Sequence, residues 1–396
     1  MELPGDALVN YIFPNNAQVW WSIMIVIYPY ITGLIAGAFV VSALSHVFKI
    51  KEFEPIANFA LISAFCFGLF AAMPLLVHLG QPQRAFEIYV TPHTTSAMSI
   101  FGYIYSGYLL LLMIEIWFIY RSYFIEQAKT ATGIMKPVWT VLTLGVTEYH
   151  PDSARLDRKI VVVLAGVGIP WAFTLHGYVG FVFGSVKAIA WWATPLQPVI
   201  FLLSAIVSGM AMLVLMYAFI MWRRGQAYDL PMIKKFMAFL WGVFILDVVV
   251  EILEVVFTMY EKSWHWSQIE PLLTGPLQNS YIVGQLLILS GIPLVVLGYV
   301  VLSGIQGRAM LYLSVVASFM LVLQVLFMRF NVVVGGQLIS KSERGFVDFE
   351  WELFGKEGIP TAVVLLGAPF VAYYVFSRFI PILPEAVVQT EPDSPT

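Results

Sequence analysis

Nine apolar runs separated by short polar connections dominate the chain, near residues 20–43, 56–78, 97–120, 160–183, 198–222, 236–259, 280–303, 309–328 and 360–379. A bilayer core of about 30 Å needs about 20 apolar residues per helix, so each run is predicted to cross a membrane. Connections such as GQPQR and RRGQAYDLP carry the expected turn residues. The run 133–147 is apolar but too short to cross, and is expected to lie against the membrane surface or the bundle. The pattern predicts an all-α polytopic membrane protein. It has an outer segment over 1–19, a transmembrane domain over 20–380 and an acidic, proline-rich tail over 381–396, expected to be disordered.

Composition agrees: of 396 residues, 60% are hydrophobic and 11% charged, and mean hydropathy is +0.83. Soluble domains carry roughly a quarter charged residues. No basic cluster with interleaved aromatics points to nucleic acid. Cys66 is the only cysteine, so no disulfide, zinc site or iron–sulfur cluster is expected within this chain. Any such cluster must come from a partner. The N-terminal stretch lacks a positive region and is not expected to be a cleaved signal peptide. Fourteen Lys and Arg residues fall on one side of the predicted spans and seven, including Arg329, on the other. Basic residues favour the cytoplasmic side, so the N-terminus is expected outside and the C-terminus inside.

Charge then changes the picture inside one span. The stretch FILDVVVEILEVVFTMYEK places Asp247, Glu251, Glu254, Thr258 and Glu261 at steps of four and three residues. At 3.6 residues per turn they share an arc of roughly 80° along about 21 Å of helix. Each intramembrane acid costs on the order of 2.5–3.5 kcal/mol, so the stripe should face a cavity rather than lipid. Lys and Arg occur only at the edges of the predicted spans, so no mid-span counter-charge is expected. Two readings stay open: a polar seam between helices, or a proton path running from mid-membrane to the outer mouth.

A second constellation gathers toward the outer side. The second span ends in MPLLVHLGQPQRAFEIY, with His78, Gln81, Arg84 and Tyr89; the fourth contains GIPWAFTLHGYVGF, with His176 and Tyr178. The first brings Asn15, Asn16, Tyr28 and Tyr30. Pro29, Pro74, Pro170 and Pro293 interrupt their helices and free backbone groups. An intramembrane histidine here has three readings: haem ligation by His78 and His176, a structural hydrogen bond, or a quinone site in which His and Tyr groups bind ring oxygens.

HLGQPQRAFEIY resembles the LGRPxR turn of the polysulfide-reductase membrane-subunit (NrfD) family. RFNVVVGGQ at 329–337 and the ending WELFGKEGIPTAVVLLGAPFVAYYVFSRFIPILP resemble its longer members. The resemblance covers about residues 20 to 385, and looks greatest to membrane subunits of sulfite-reductase-associated electron-transfer complexes. It implies a haem-free protein of two four-helix bundles plus a flanking helix, in the cytoplasmic membrane of a prokaryote. Such a subunit anchors an iron–sulfur ferredoxin-like partner on the outer face, beside further cytochrome and catalytic or thiol-redox subunits. It exchanges electrons with a quinone, menaquinone or ubiquinone. Carried over, the resemblance places quinone binding at His176 and Tyr178, with His78 and Arg84 nearby and Tyr28 from the first span. The family turn usually has Arg at the position of Gln81, and often Asp at that of His78. Buried acids in the second bundle of some relatives imply a proton route, here Asp247, Glu251, Glu254 and Glu261. The connection 330–359, with Lys341, Arg344, Asp348, Glu350 and Glu352, reads either as a docking surface for the iron–sulfur partner or as an ordinary solvated loop. A proton-coupled transporter, suggested by broken helices and mid-membrane acids, is the alternative from another class. A b-type cytochrome is the third reading.

Overall fold

A computed structural model describes residues 18–343 and 345–383; Asn15, Asn16, Arg344, nearly all of the 1–19 segment and most of the 381–396 tail lie outside them. Among the described residues there are nine helices long and apolar enough to cross a membrane. They are Ile23–His46, Lys51–His78, Ala97–Thr130, Pro151–Gly184, Gln197–Arg224, Leu230–Glu261, Gln278–Leu302, Gly307–Gln337 and Ile359–Phe379, hereafter the first to ninth spans. The third and fourth overshoot their apolar runs by several residues. The apolar count measures the bilayer core, whereas the helix keeps bonding through the headgroup zone and stops at its own signals. Ser22, Ser96 and Asp229 cap the first, third and sixth spans by accepting from Met24, Ser99 and Met232 N–H. Gly225, at φ 63°, ends the fifth.

Spans one to four close into one four-helix bundle and spans five to eight into another, while the ninth lies on the first and second. The bundles join where the first span crosses the fifth and eighth and the fourth meets the fifth. At that junction, small residues recur every four positions, Gly33 and Gly37 facing Ala205 and Gly209. A Cβ on Gly37 would stand 2.7 Å from Gly209 Cα, so only glycine permits this approach. The short segment near 133–147 forms helix Met135–Leu142 and lies against the first bundle. Trp139 is buried against Phe124, and the Trp117 indole donates to Leu142 O at 2.7 Å.

The proline positions behave differently. Pro29 and Pro170 sit within continuous helices, whereas the second span breaks at Ala72 just before Pro74. The seventh winds as a π-helix over Gln278–Gly291 and returns to α-helix at Ile292, beside Pro293. Such winding is rare and concentrates at functional positions.

The eighth helix changes one expectation. It continues to Val333 and carries Arg329 into the interior, where it is fully buried. The expectation that no Lys or Arg lies mid-span, and the count of Arg329 with the outer loop, are both corrected. The helix does not end where its apolar run ends, because buried acids on another span give this cation a place inside.

Candidate functional site

Arg329 stands at the junction of the two bundles. Its Nη2 donates to Ser204 Oγ at 2.8 Å and Phe201 O at 3.2 Å, and lies 3.1 Å from His176 Nε2. The guanidinium sits 3.9 Å from the centre of the Phe201 ring, a cation–π contact worth about 2 kcal/mol when water is excluded. Arginine has only donors, so His176 Nε2 is the acceptor and the neutral ring carries its proton on Nδ1. That Nδ1 is buried without a protein partner. Gly33 leaves room for this ring, since a Cβ there would lie 3.3 Å from His176 Cε1.

The acid stripe approaches Arg329 from the sixth span. Asp247 and Glu251 are both within its electrostatic reach. Exposure rises along the stripe, from 2% at Asp247 and 6% at Glu251, through half-buried Glu254, to exposed Glu261. Glu251 accepts from the Gln285 amide and is also bonded to Tyr281, while Thr194 bonds Glu254. Gln285 in turn accepts from Asn331 Nδ2 at 2.8 Å. The π-wound segment thus holds both Tyr281 and Gln285 against one acid. Asp247 Oδ1, Asn331 Oδ1 and Arg329 Nε are buried without protein partners, a pattern that suits bridging water.

A cavity of about 280 Å³ follows this stripe from Glu251 to Glu261. Glu251, Glu254, Thr258 and Glu261 form one wall, and Trp191, Phe257 and Tyr281 supply aromatic surface. Met328 and Val332 reach it from the eighth span, and His265 and Ile269 from helix Trp264–Thr274. The acids beyond Asp247 therefore face a cavity, as their insertion cost requires.

A family model described as polysulphide reductase, NrfD, matches residues 13–341. The chain belongs to the NrfD family. It is 38% identical over 208 residues to the C subunit of the selenate reductase of Mesobacillus selenatarsenatis, a match covering 50% of this chain and 48% of that protein. It is 24% identical over 196 residues to the Hdr-like menaquinol oxidoreductase integral membrane subunit of Archaeoglobus fulgidus, covering 50% of this chain and 41% of that protein. The chain thus spans about half the length of the curated relatives it matches.

Within this NrfD fold the residues expected to bind quinone are dispersed. His176 lies at the bundle junction. Tyr178 is partly exposed beside Phe181, because two residues turn a helix by about 200° and put it on the opposite face. Tyr28 is buried edge-on to Phe101, 5.6 Å between ring centres, inside the first bundle. His78 is the last helical residue of the second span. Its Nδ1 lies 2.6 Å from Glu357 Oε2, and Ser22 bonds the same carboxylate. His78 and His176 have separate partners, Glu357 and Arg329. Arg84 is exposed and clamps Glu87 through Nε and Nη2 at 2.7 and 2.9 Å, donors that hold the Glu87 carboxyl below its usual range. Such an exposed pair contributes little to stability.

Sequence reasoning missed Arg329, Gln285, Asn331 and Trp191. Gln285 was visible as an amide in an otherwise apolar run, IVGQLLILSG, but a search for ionisable groups passes over it.

Proposed function

We propose that this chain is the haem-free, quinone-interacting membrane subunit of a multisubunit respiratory oxidoreductase. It exchanges electrons between the quinone pool of a prokaryotic cytoplasmic membrane and an iron–sulfur ferredoxin-like subunit on the outer face. The observation that carries this reading is the acid-lined cavity backed by the buried Arg329–His176 pair. Membership of the family and the names of its relatives, which are subunits of reductases and of a menaquinol oxidoreductase, support the assembly. The menaquinol in one relative's name supports the quinone.

The residues fit a quinone headgroup. Trp191, Phe257 and Tyr281 offer flat apolar surface, and Glu251, Glu254, Thr258 and His265 offer polar edges. A bound menaquinone or ubiquinone supplies electron transfer coupled to proton exchange. Glu254, nearer the mouth than Glu251, passes protons between Glu261 and Glu251. Gln285 and Asn331 fix the Glu251 carboxyl, and Arg329 offsets the negative charge of Asp247 and Glu251 across proton transfer. This reading moves the ring-binding site from the expected His176, Tyr178, His78, Arg84 and Tyr28 cluster to the cavity, with His176 behind it. The outer loop suits docking because Glu343 accepts from Trp264 and Gln268 of the helix bordering the mouth.

A quinone-analogue titration of the purified complex tests this. Trp191→Ala should weaken binding at least tenfold, and Tyr178→Ala should leave it unchanged. The reverse pattern would return the site to the fourth span. Glu251→Gln should spare binding and impair proton movement; full proton translocation in that variant would leave the acids as packing. A proton-coupled transporter is the second reading, favoured by the irregular seventh span beside the acids. Substrate uptake by the chain without a redox partner would support it.

A further inference from the structure

A second cleft lies at the other end of the molecule, between the last turns of the fifth and ninth spans. It encloses about 390 Å³ and carries Arg223, Arg224 and Arg378 around Tyr373, Tyr374 and Ser377. Its walls deepen toward the membrane centre along Met216, Phe219, Ile220 and Phe370. From Arg224 to Met216 the apolar wall runs about 12 Å down the helix. Among the described residues, no carboxylate lines the cleft and none of its arginines joins an ion pair. Arg378 rests 5.8 Å from the Tyr374 ring centre, which holds the guanidinium at the cleft edge. Tyr373 is buried and within electrostatic reach of Arg224.

Arginines at helix C-termini also offset the helix dipole, so the charges need weighing. Each terminus carries about half a negative elementary charge. Two termini therefore offset about one of the three arginines, leaving a surplus of about two positive charges. We propose that this cleft binds an anionic phospholipid, with the arginine forks on its phosphates and an acyl chain along the apolar wall. The surplus matches a two-phosphate headgroup, as in cardiolipin, better than a single phosphate. The cleft lies on the face that carries most of the basic connections, where anionic lipid is recruited. It is separate from the acid-lined cavity and does not depend on how that cavity is read.

The test uses the purified full-length chain in its complex, with lipid removed and added back. Tetraoleoyl cardiolipin should bind saturably and raise the melting temperature, and phosphatidylcholine should not. Arg223→Gln, Arg224→Gln and Arg378→Gln should each weaken cardiolipin binding about tenfold without unfolding the chain, because all three side chains are exposed. Arg158→Gln with Lys159→Gln, on the same face but outside the cleft, should leave it unchanged. Equal loss in that control would reduce the effect to general surface attraction and overturn the site. Equal protection by inorganic pyrophosphate would identify a free-anion site and overturn the lipid assignment.

Discussion

Arg329 and Glu115 show how differently two buried charges can be housed. Arg329 has acceptors, an aromatic face and two acids within reach. Truncating one partner of such a set usually costs about 3–5 kcal/mol, because the remaining groups stay buried without compensation. Arg329→Ala should therefore lower the denaturation midpoint of the purified chain sharply. Adding Asp247→Asn and Glu251→Gln should recover part of the loss, and no recovery would mean that the acids do not depend on this cation. Arg329→Lys should fall between, since one ammonium cannot reproduce the fork. Glu115 is the opposite case: fully buried in the first bundle, with neither oxygen hydrogen-bonded among the described residues and only His46 Nδ1 in ion-pair range at 3.7 Å. Removing an unsatisfied buried polar group recovers about 1–3 kcal/mol. Glu115→Leu should therefore match or exceed the native melting temperature, and a marked fall would show that Glu115 is bonded to a group such as water.

At the scale of the helix, the crossing of the first and fifth spans sets the spacing of the whole junction. Gly209→Leu should separate these spans, with a cost of at least about 1–3 kcal/mol from overpacking, and reduce folded yield in gel filtration. Gly166→Leu, at a glycine with open space around it, is the matched control and should fold normally. If both variants fold equally well, the close approach is not needed. The nine spans were legible because bilayer thickness imposes a minimum apolar length on each. Their ends were not, since caps and tertiary partners stop a helix rather than hydropathy. The Arg329 error follows directly: its counter-charges lie some 80 residues upstream on another span, a pairing that no local window contains. The acid stripe was legible because its members share one helix and one face. The His176–Tyr178 pairing was open to doubt from helix geometry alone, as neighbours two residues apart diverge.

For the whole molecule, orientation decides what the cavity can do. The nine antiparallel spans among the described residues put the cavity mouth and the arginine-lined cleft on opposite faces, whichever way the chain inserts. Moving Arg329 inside the bundle leaves six basic residues on the mouth side against fourteen on the other, which strengthens the bias toward an outward mouth. An outward mouth would exchange protons with the outer aqueous phase, so inverting the molecule would invert the sign of any charge movement. Cysteine labelling resolves the orientation cleanly because Cys66 is buried at 1% exposure and should stay unmodified. In inside-out vesicles, a membrane-impermeant maleimide should label Ala227→Cys and spare Lys341→Cys, and in intact cells the pattern should reverse. Labelling of both positions from one side would break the nine-span alternation. A clean exchange of the two would keep the fold but turn the acid-lined cavity toward the cytoplasm.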